Sequence, residues 1–255
     1  MVLDAGSRLA YNRGREVRDL TKTVGIIGGM GPAATCDLME KIIALTKASR
    51  DQDHVHVIAD VNTAIPDRTA AIVQGGPDPV PEMVRSARRL ESAGADLLIM
   101  PCNTAHYFYD DVAASVPVPV LHMPRETAAV LRTAGVRTAA VLATDGTVQS
   151  GVYGRALADA GVRAVYPGAP MQEQVMRLIY QGVKARAVPL ADIPVGDILA
   201  DVRAQGAETV LLACTELPIA FRELGLTEGC LDPTRVLAFA AVRAAGASTS
   251  VPDPW

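Results

Sequence analysis

Short apolar runs alternate with longer amphipathic segments along most of this chain. Apolar runs of strand length lie at 23–28, 54–62, 96–100, 118–121 and 163–166, and within 138–147 and 205–218. Segments with the helical spacing of apolar residues lie at 33–47, 82–93, 151–160, 172–181, 193–205 and 233–245. Strands that alternate with helices are typical of parallel sheets covered on both faces. The pattern therefore predicts an α/β fold.

Two stretches of the chain repeat one design. Residues 93–106 read AGADLLIMPCNTAH, and residues 205–218 read QGAETVLLACTELP. Each contains Gly-Ala, an acidic residue, an apolar run and then a cysteine, which is Cys102 in the first stretch and Cys214 in the second. In both stretches the glycine precedes the cysteine by 8 residues. The chain thus carries two thiols at equivalent positions of two similar halves.

The starts of the two halves match as well. TVGIIGGMGP at 23–32 and TAAVLATDGT at 138–147 each combine a strand with small residues and a loop glycine. We therefore expect two similar parallel-sheet α/β domains related by pseudo-two-fold symmetry. Ligands of open α/β sheets bind outside the carboxyl ends of the strands, where both cysteines fall. This predicts an active site in the inter-domain cleft, with one thiol on each wall.

The repeat also predicts how the chain divides. We expect residues 22–118 with 228–248 to form the first α/β domain and residues 119–227 to form the second. Residues 1–21 and 249–255 are expected to be flexible tails, because neither carries a predicted strand or helix.

Two thiols that face each other can act on opposite faces of one carbon atom. One removes a proton while the other returns one, and the two exchange the roles of base and acid when the reaction reverses. The pKa of a thiol, about 8.5 when unperturbed, falls at a helix N-terminus. A single cysteine at a strand end is most often a small buried side chain. Matching positions favour a function for Cys102 and Cys214, whereas Cys36 and Cys230 have no match and are assigned structural roles.

The glycine-rich loop after the first strand permits another interpretation. Gly29-x-Gly31-x-x-Ala34 fits the relaxed dinucleotide-binding fingerprint. Its counterpart at 144–147 has no such pattern. We interpret both loops as walls of the cleft, whose backbone N–H groups and hydroxyls could hold a carboxylate.

Composition argues against several other functions. The net charge is −4, so no basic surface indicates nucleic acid as a partner. No apolar run reaches the roughly 18 residues needed to cross a membrane, and the N-terminus lacks the apolar core of a signal peptide. We therefore expect a cytoplasmic protein without a membrane partner. Its four cysteines should be free thiols, and its four histidines lack zinc-type spacing, so no metal is expected.

Four motifs together indicate a family. They are Gly-Gly-Met-Gly-Pro at 28–32, Ile-Pro-Asp-Arg at 65–68, Pro-Cys-Asn-Thr-Ala-His at 101–106 and Ala-Cys-Thr-Glu at 213–216. In this order they resemble the aspartate/glutamate racemase family, and most of all its aspartate racemase branch. The resemblance runs from about Val24 to Ala245. It implies racemisation without any cofactor, by two cysteines, in homodimers of two-domain α/β subunits.

The resemblance also assigns roles to individual residues. Cys102 and Cys214 would be the catalytic acid and base, while Arg68 and Lys184 would hold the carboxylates of a small amino acid with two carboxylates. The full set of expected substrate-binding residues is Met30, Arg68, Asn103, Thr104, Ala105, Thr144, Thr147, Lys184, Thr215 and Glu216. One position departs from the family pattern: Ala213 stands where a glycine usually precedes the second cysteine. Its methyl group is expected to crowd the cleft or to shift the substrate.

The function expected from these observations is racemisation of an acidic amino acid, with aspartate first and glutamate second. Within the same superfamily, the alternative is a dicarboxylate isomerase or decarboxylase. A nucleotide-dependent oxidoreductase would instead use the loop at Gly29. A non-catalytic amino-acid sensor would bind its ligand without removing the α-proton.

Overall fold

A computed structural model describes residues 21–255, which form two separate parallel sheets. The first sheet has the order β2–β1–β3, with β1 at Val24–Gly28, β2 at Val57–Val61 and β3 at Leu97–Ile99. The second has the order β5–β4–β6–β7, and its strands in chain order are Thr138–Leu142, Arg163–Val165, Thr209–Leu212 and Cys230–Leu231. In each sheet the first strand of that half lies between the next two, as the internal repeat predicts. The predicted tail at 1–21 lies outside the described residues, apart from Thr21.

Helices connect the strands. In the first half they are α1 (Pro32–Leu45), α2 (Arg68–Val73), α3 (Val80–Ser92) and α4 (Tyr109–Ala114). The later helices are α5 (Met123–Thr133), α6 (Asp145–Ser150), α7 (Val152–Asp159), α8 (Ala169–Arg177), α9 (Val195–Ala204), α10 (Leu217–Glu223) and α11 (Pro233–Ala244). Short 3₁₀ turns occupy Asp51–Asp53, Thr104–Phe108 and Leu190–Asp192, and a π-helix occupies Leu178–Lys184. The predicted α/β fold with two similar parallel sheets is confirmed.

The central strand of each sheet is buried along its whole length. Every residue of β1 and β4 is buried, which explains why both segments contain only apolar, small or hydroxyl residues. Gly25 allows close packing in β1, since a Cβ atom there would lie 2.5 Å from the Leu98 side chain and 2.8 Å from the Ala95 side chain. Clusters of buried apolar side chains cover both faces of each sheet.

Several elements differ from the predicted ones. The strand predicted at 54–62 pairs with β1 only from Val57 onward, because Val57 is the partner of Val24 at the start of β1. The strand predicted at 118–121 is a single bridge between Val120 and Leu98. Cys102 is followed by a 3₁₀ turn rather than directly by an α-helix. None of the helices between residues 21 and 255 is long and apolar enough to cross a membrane.

The chain crosses between the two predicted domains twice, near residue 120 and near residue 230. Val120 bridges to the first sheet, and β7 pairs with β6 in the second sheet. The predicted boundaries after 118 and before 228 cut through these two contacts, and the domain division itself stays a prediction. Near the C-terminus, Ser250 donates hydrogen bonds from its backbone N–H to the Leu45 carbonyl (2.8 Å) and from its hydroxyl to the Ala44 carbonyl (2.8 Å). These contacts hold part of segment 249–255 against α1, whereas its predicted flexibility stays a prediction.

Candidate active site

The two repeated cysteines line one cavity between the halves. Cys102 lies just beyond the carboxyl end of β3, and Cys214 lies just beyond the carboxyl end of β6. Both thiols are buried. The cavity has a volume of about 30 Å³, room for one or two water molecules. This is the arrangement that the repeat predicts, in a closed form of the cleft.

Most of the predicted site residues meet at this cavity. Besides the two cysteines, it is lined by Met30, Arg68, Asn103, Thr104, Thr144, Lys184, Thr215 and Glu216. Ala105 and Thr147 do not line it. Ala105 is buried in the apolar cluster beside the first sheet, and its contact with the substrate stays a prediction. Ala213 does not line the cavity either, because its methyl group packs in the apolar cluster beside the second sheet. The expected effect of Ala213 on the cleft or on the substrate stays a prediction.

Arg68 is held in place by backbone carbonyls. Its Nη1 donates to the carbonyl of Pro66 (2.9 Å), and its Nη2 donates to the carbonyl of Met30 (3.0 Å). Asp67 fixes the start of α2 by accepting a hydrogen bond from the backbone N–H of Ala70 (2.7 Å). Burial alone would lower the pKa of Arg68, but the negative charges of a Cys102 thiolate and of Asp67 outweigh burial, and the pKa is raised. The guanidinium is thus a fixed cation beside Cys102.

Cys214 has different neighbours. Its Sγ donates to Oε2 of Glu216 (3.0 Å), and Oε1 of Glu216 accepts from Nζ of Lys184 (2.8 Å). Burial alone would lower the pKa of Lys184, but the charge of Glu216 outweighs burial and raises it. Burial, followed by the charge of Glu216, raises the pKa of the Cys214 thiol well above its usual range. The second thiol is therefore neutral in this closed form.

Asn103 joins the two halves. Tyr153, on α7 of the second half, donates its hydroxyl to Oδ1 of Asn103 (2.6 Å). Burial raises the pKa of Tyr153 well above its usual range, so the hydroxyl stays a donor. Within residues 21–255, neither Nδ2 of Asn103 nor Nε of Arg68 has a hydrogen-bond partner, although both atoms are buried. The site thus holds two buried nitrogen atoms whose N–H groups have no acceptor.

A cluster of threonines lies beside Asn103. The Oγ1 atom of Thr104 lies 2.7 Å from that of Thr147 and 3.2 Å from that of Thr144. Thr144 also caps α6, since its hydroxyl accepts from the backbone N–H of Thr147 (3.3 Å). Thr147 lies behind the closed cavity, in contact with Thr104 and Thr144, and its substrate-binding role stays a prediction.

His106 supports the backbone of Cys102. Its Nδ1 donates to the Cys102 carbonyl (2.9 Å), while its Nε2 accepts from the backbone N–H of Met123 (3.1 Å). Burial, together with the nearby His122, lowers the pKa of His106 to about 3, so the ring is neutral at ordinary pH. His106 therefore brings no positive charge to the thiol. It ties the Cys102 loop to the start of α5.

Three residues that line the cavity were not predicted: Asp67, Thr69 and Tyr180. Tyr180 lies in the π-helix, which brings Nζ of Lys184 to 5.7 Å from the centre of its ring. Thr69 lies across the cleft from α6, with its Oγ1 3.5 Å from that of Thr144. Asp67 belongs to the Ile-Pro-Asp-Arg motif at 65–68, whereas Thr69 is indicated only by its position next to Arg68.

The glycine loop after β1 has a structural explanation. Gly29 has φ of +89°, and a Cβ atom there would lie 2.4 Å from the backbone of Asn62. Its N–H donates to the hydroxyl of Thr35 (3.0 Å), so that donor is already used within the protein. These contacts account for the glycine without a nucleotide.

Comparison with known proteins agrees with this geometry. The sequence profile described as Asp/Glu/Hydantoin racemase matches residues 27–241. Aspartate racemase from Picrophilus torridus is 34% identical, with a TM-score of 0.80 over 90% of this chain and 96% of that one. An aspartate racemase homologue from Pyrococcus horikoshii OT3 is 25% identical, with a TM-score of 0.73 over 88% and 99% of the two chains. The broad specificity amino-acid racemase RacX of Bacillus subtilis (strain 168) is 28% identical over 232 residues, 86% of this chain and 96% of that protein. The chain therefore belongs to the Asp/Glu/hydantoin racemase family and is an isomerase of the amino-acid racemase type.

Proposed function

We propose that this protein racemises an acidic amino acid, aspartate first and glutamate second, with Cys102 and Cys214 as the two acid/base groups. The observation that carries the proposal is the single cavity lined by both thiols and by two cations, Arg68 and Lys184. The similar structures named as an aspartate racemase and as an aspartate racemase homologue support aspartate as the first choice. Independence from cofactors, a homodimer and a cytoplasmic location complete the proposal.

The unpaired donors favour a carboxylate ligand. A buried polar group without a partner costs about 1–3 kcal/mol, and a charged group costs more. A substrate carboxylate beside Nε of Arg68 and Nδ2 of Asn103 would give both an acceptor. The same donors would stabilise the negative charge that moves onto that carboxylate when the α-proton leaves. They are thus placed to lower the barrier to proton removal as well as to bind the substrate.

The closed cavity is too small for an amino acid. A volume of about 30 Å³ holds one or two water molecules, so the halves must separate for entry and close again around the substrate. Closure would exclude water from the thiols and strengthen the electrostatic contacts around them. We therefore propose that substrate enters by separation of α2 from α6, which face each other above the cavity.

Replacement of each cysteine tests the two-base scheme. Cys102→Ala and Cys214→Ala should each abolish racemisation of aspartate, because each removes one of two required proton carriers. Cys36→Ala and Cys230→Ala serve as matched controls and should keep wild-type rates, since neither thiol lines the cavity. Racemisation is followed by chiral chromatography. A near-normal rate in either of the first two variants would rule out the scheme.

A further inference from the structure

Glu216 lies between the second thiol and the lysine of the site. Its Oε1 accepts from Nζ of Lys184 (2.8 Å), and its Oε2 accepts from Sγ of Cys214 (3.0 Å) and from Oγ1 of Thr215 (3.1 Å). Burial would raise the pKa of Glu216, but the charge of Lys184 and the donated hydrogen bonds outweigh burial and lower it. Glu216 is therefore a partly buried carboxylate anion that accepts from three donors.

The two thiols consequently have opposite surroundings. A thiolate at Cys214 would lie 3.0 Å from a carboxylate oxygen, where like charges repel each other. A thiolate at Cys102 would lie beside the fixed guanidinium of Arg68. Lys184 and Tyr180 line the same cavity as Cys214. The positive charge of Lys184 is balanced by its ion pair with Glu216. Burial raises the pKa of Tyr180, so its phenol stays neutral.

We propose that Glu216 is a positioning residue that keeps a proton on Cys214, so that the free enzyme carries its thiolate at Cys102. This inference rests on the proposed racemisation, in which one thiol must start protonated and the other deprotonated. It assigns the starting roles: Cys102 is the base and Cys214 is the acid.

The proton balance of one turnover follows. The Cys102 thiolate takes the α-proton, and the electron pair of that C–H bond stays on the substrate. The same pair then forms a C–H bond on the opposite face with the proton of Cys214, whose S–H bond breaks. The enzyme is left with a thiol at Cys102 and a thiolate at Cys214 that faces Glu216. Repulsion by Glu216 makes this second form the rarer one, and proton exchange restores the first.

The unequal populations of the two protonation forms of the enzyme have a kinetic consequence. One enantiomer binds the abundant form of the enzyme, whereas its mirror image must bind the rarer form, which raises the apparent dissociation constant. Because the two enantiomers have equal free energy, kcat/KM must be the same in both directions. The enantiomer that binds the abundant form should therefore have both the lower KM and the lower kcat. Glu216→Gln, which removes the negative charge, should bring the two KM values closer together.

Selective alkylation tests the inference without turnover. Thiolates react with iodoacetamide and thiols do not, so the rate at each cysteine reports its ionisation. In the wild type at pH 8, Cys102 should be modified faster than Cys214, as measured by mass spectrometry of the peptides with the exposed Cys36 as an internal reference. In Glu216→Gln the rate at Cys214 should rise on the order of ten-fold, while the rate at Cys102 stays within about two-fold.

Two comparisons separate charge from looser packing. Glu223→Gln makes the same chemical change at an exposed position of α10 and should leave every rate unchanged. A cavity that merely opens in Glu216→Gln would raise the rates at Cys102 and Cys214 together, and this would contradict the proposal. Faster modification of Cys214 than of Cys102 in the wild type would also overturn it, with no variant needed. Normal racemisation with the wrong alkylation pattern refutes this inference alone, whereas the expected pattern without racemisation refutes the proposed function.

Discussion

Gly146 is the position where a single methyl group should prevent the cleft from closing. It lies on α6 and packs directly against Thr69 of α2. A Cβ atom at 146 would lie 2.8 Å from Oγ1, 2.9 Å from Cα and 3.1 Å from Cβ of Thr69. Of these three atoms, only Oγ1 moves when the Thr69 side chain rotates about χ1. The overlap with the main chain of Thr69 is relieved only if the backbone of α2 moves away.

The size of the effect follows from the required movement. A Cβ atom at 146 would lie 2.9 Å from Cα of Thr69, whereas ordinary van der Waals contact is 3.4–4 Å. The backbone of α2 must therefore move away by roughly 0.5–1 Å. Arg68 precedes Thr69 on α2, so a shift of the helix moves the Arg68 backbone and strains the hydrogen bond from its guanidinium to the Met30 carbonyl. Misplacement of a positioning group by about 1 Å costs on the order of a hundred-fold in rate. We therefore expect Gly146→Ala to lower kcat/KM for aspartate by about ten- to a hundred-fold.

A second glycine supplies the control. Gly196 lies in α9, and a Cβ atom there would meet no atom within 4 Å, so Gly196→Ala should keep wild-type kcat/KM. Circular dichroism and thermal melting verify that both variants are folded. Wild-type activity in Gly146→Ala, or an equal loss in Gly196→Ala, would refute the argument that α2 must close against α6.

Two further predictions concern Arg68 and His106. Arg68→Lys keeps the positive charge but loses the unpaired Nε and the planar guanidinium group. The value of kcat/KM for aspartate should therefore fall by at least about ten-fold in steady-state assays. An unchanged kcat/KM would mean that Arg68 does not bind a substrate carboxylate. The folded protein holds His106 neutral, with its pKa lowered from 6.5 to about 3, so the stability from this group is fully present above pH 6.5 and is lost as the pH falls toward 3. Between pH 8 and pH 5 this loss amounts to about 2 kcal/mol in the free energy of unfolding. Urea denaturation at the two pH values should show that His106→Gln loses correspondingly less than the wild type, and an identical loss in the two proteins would contradict the assignment.

The sequence repeat predicted the positions of the two thiols because it reports local structure. A buried strand that ends in a small or proline residue and then a cysteine places Cys102 and Cys214 at the carboxyl ends of β3 and β6. Parallel sheets of the same strand order then bring those ends to one cleft. The first step depends on residues close together in the chain, and the second depends on the internal repeat, so one sequence is sufficient for the argument.

Contacts between distant residues could not be predicted in this way. No pattern in the sequence indicates that Glu216 pairs with Lys184, because the contact depends on how the π-helix approaches α10. Tyr180 was missed for the same reason, since the segment was interpreted with the ordinary α-helical period and the wider turn changes which side chains share a face. The loop repeat likewise gave no sign that the hydroxyl of Thr147 contacts two other threonines. Sequence spacing predicts which loop a residue occupies but not which partner it meets.

The most direct test of the account is racemisation of L-aspartate in heavy water, followed at low conversion. The scheme with two facing thiols predicts that the D-aspartate formed carries deuterium at the α-carbon, while the remaining L-aspartate carries almost none. This follows because one thiol removes the proton and the other, already exchanged with solvent, delivers a deuteron to the opposite face. Deuterium entering both enantiomers equally from the start would contradict two separate bases. D-Aspartate that keeps the original proton would contradict delivery by a solvent-exchanged thiol.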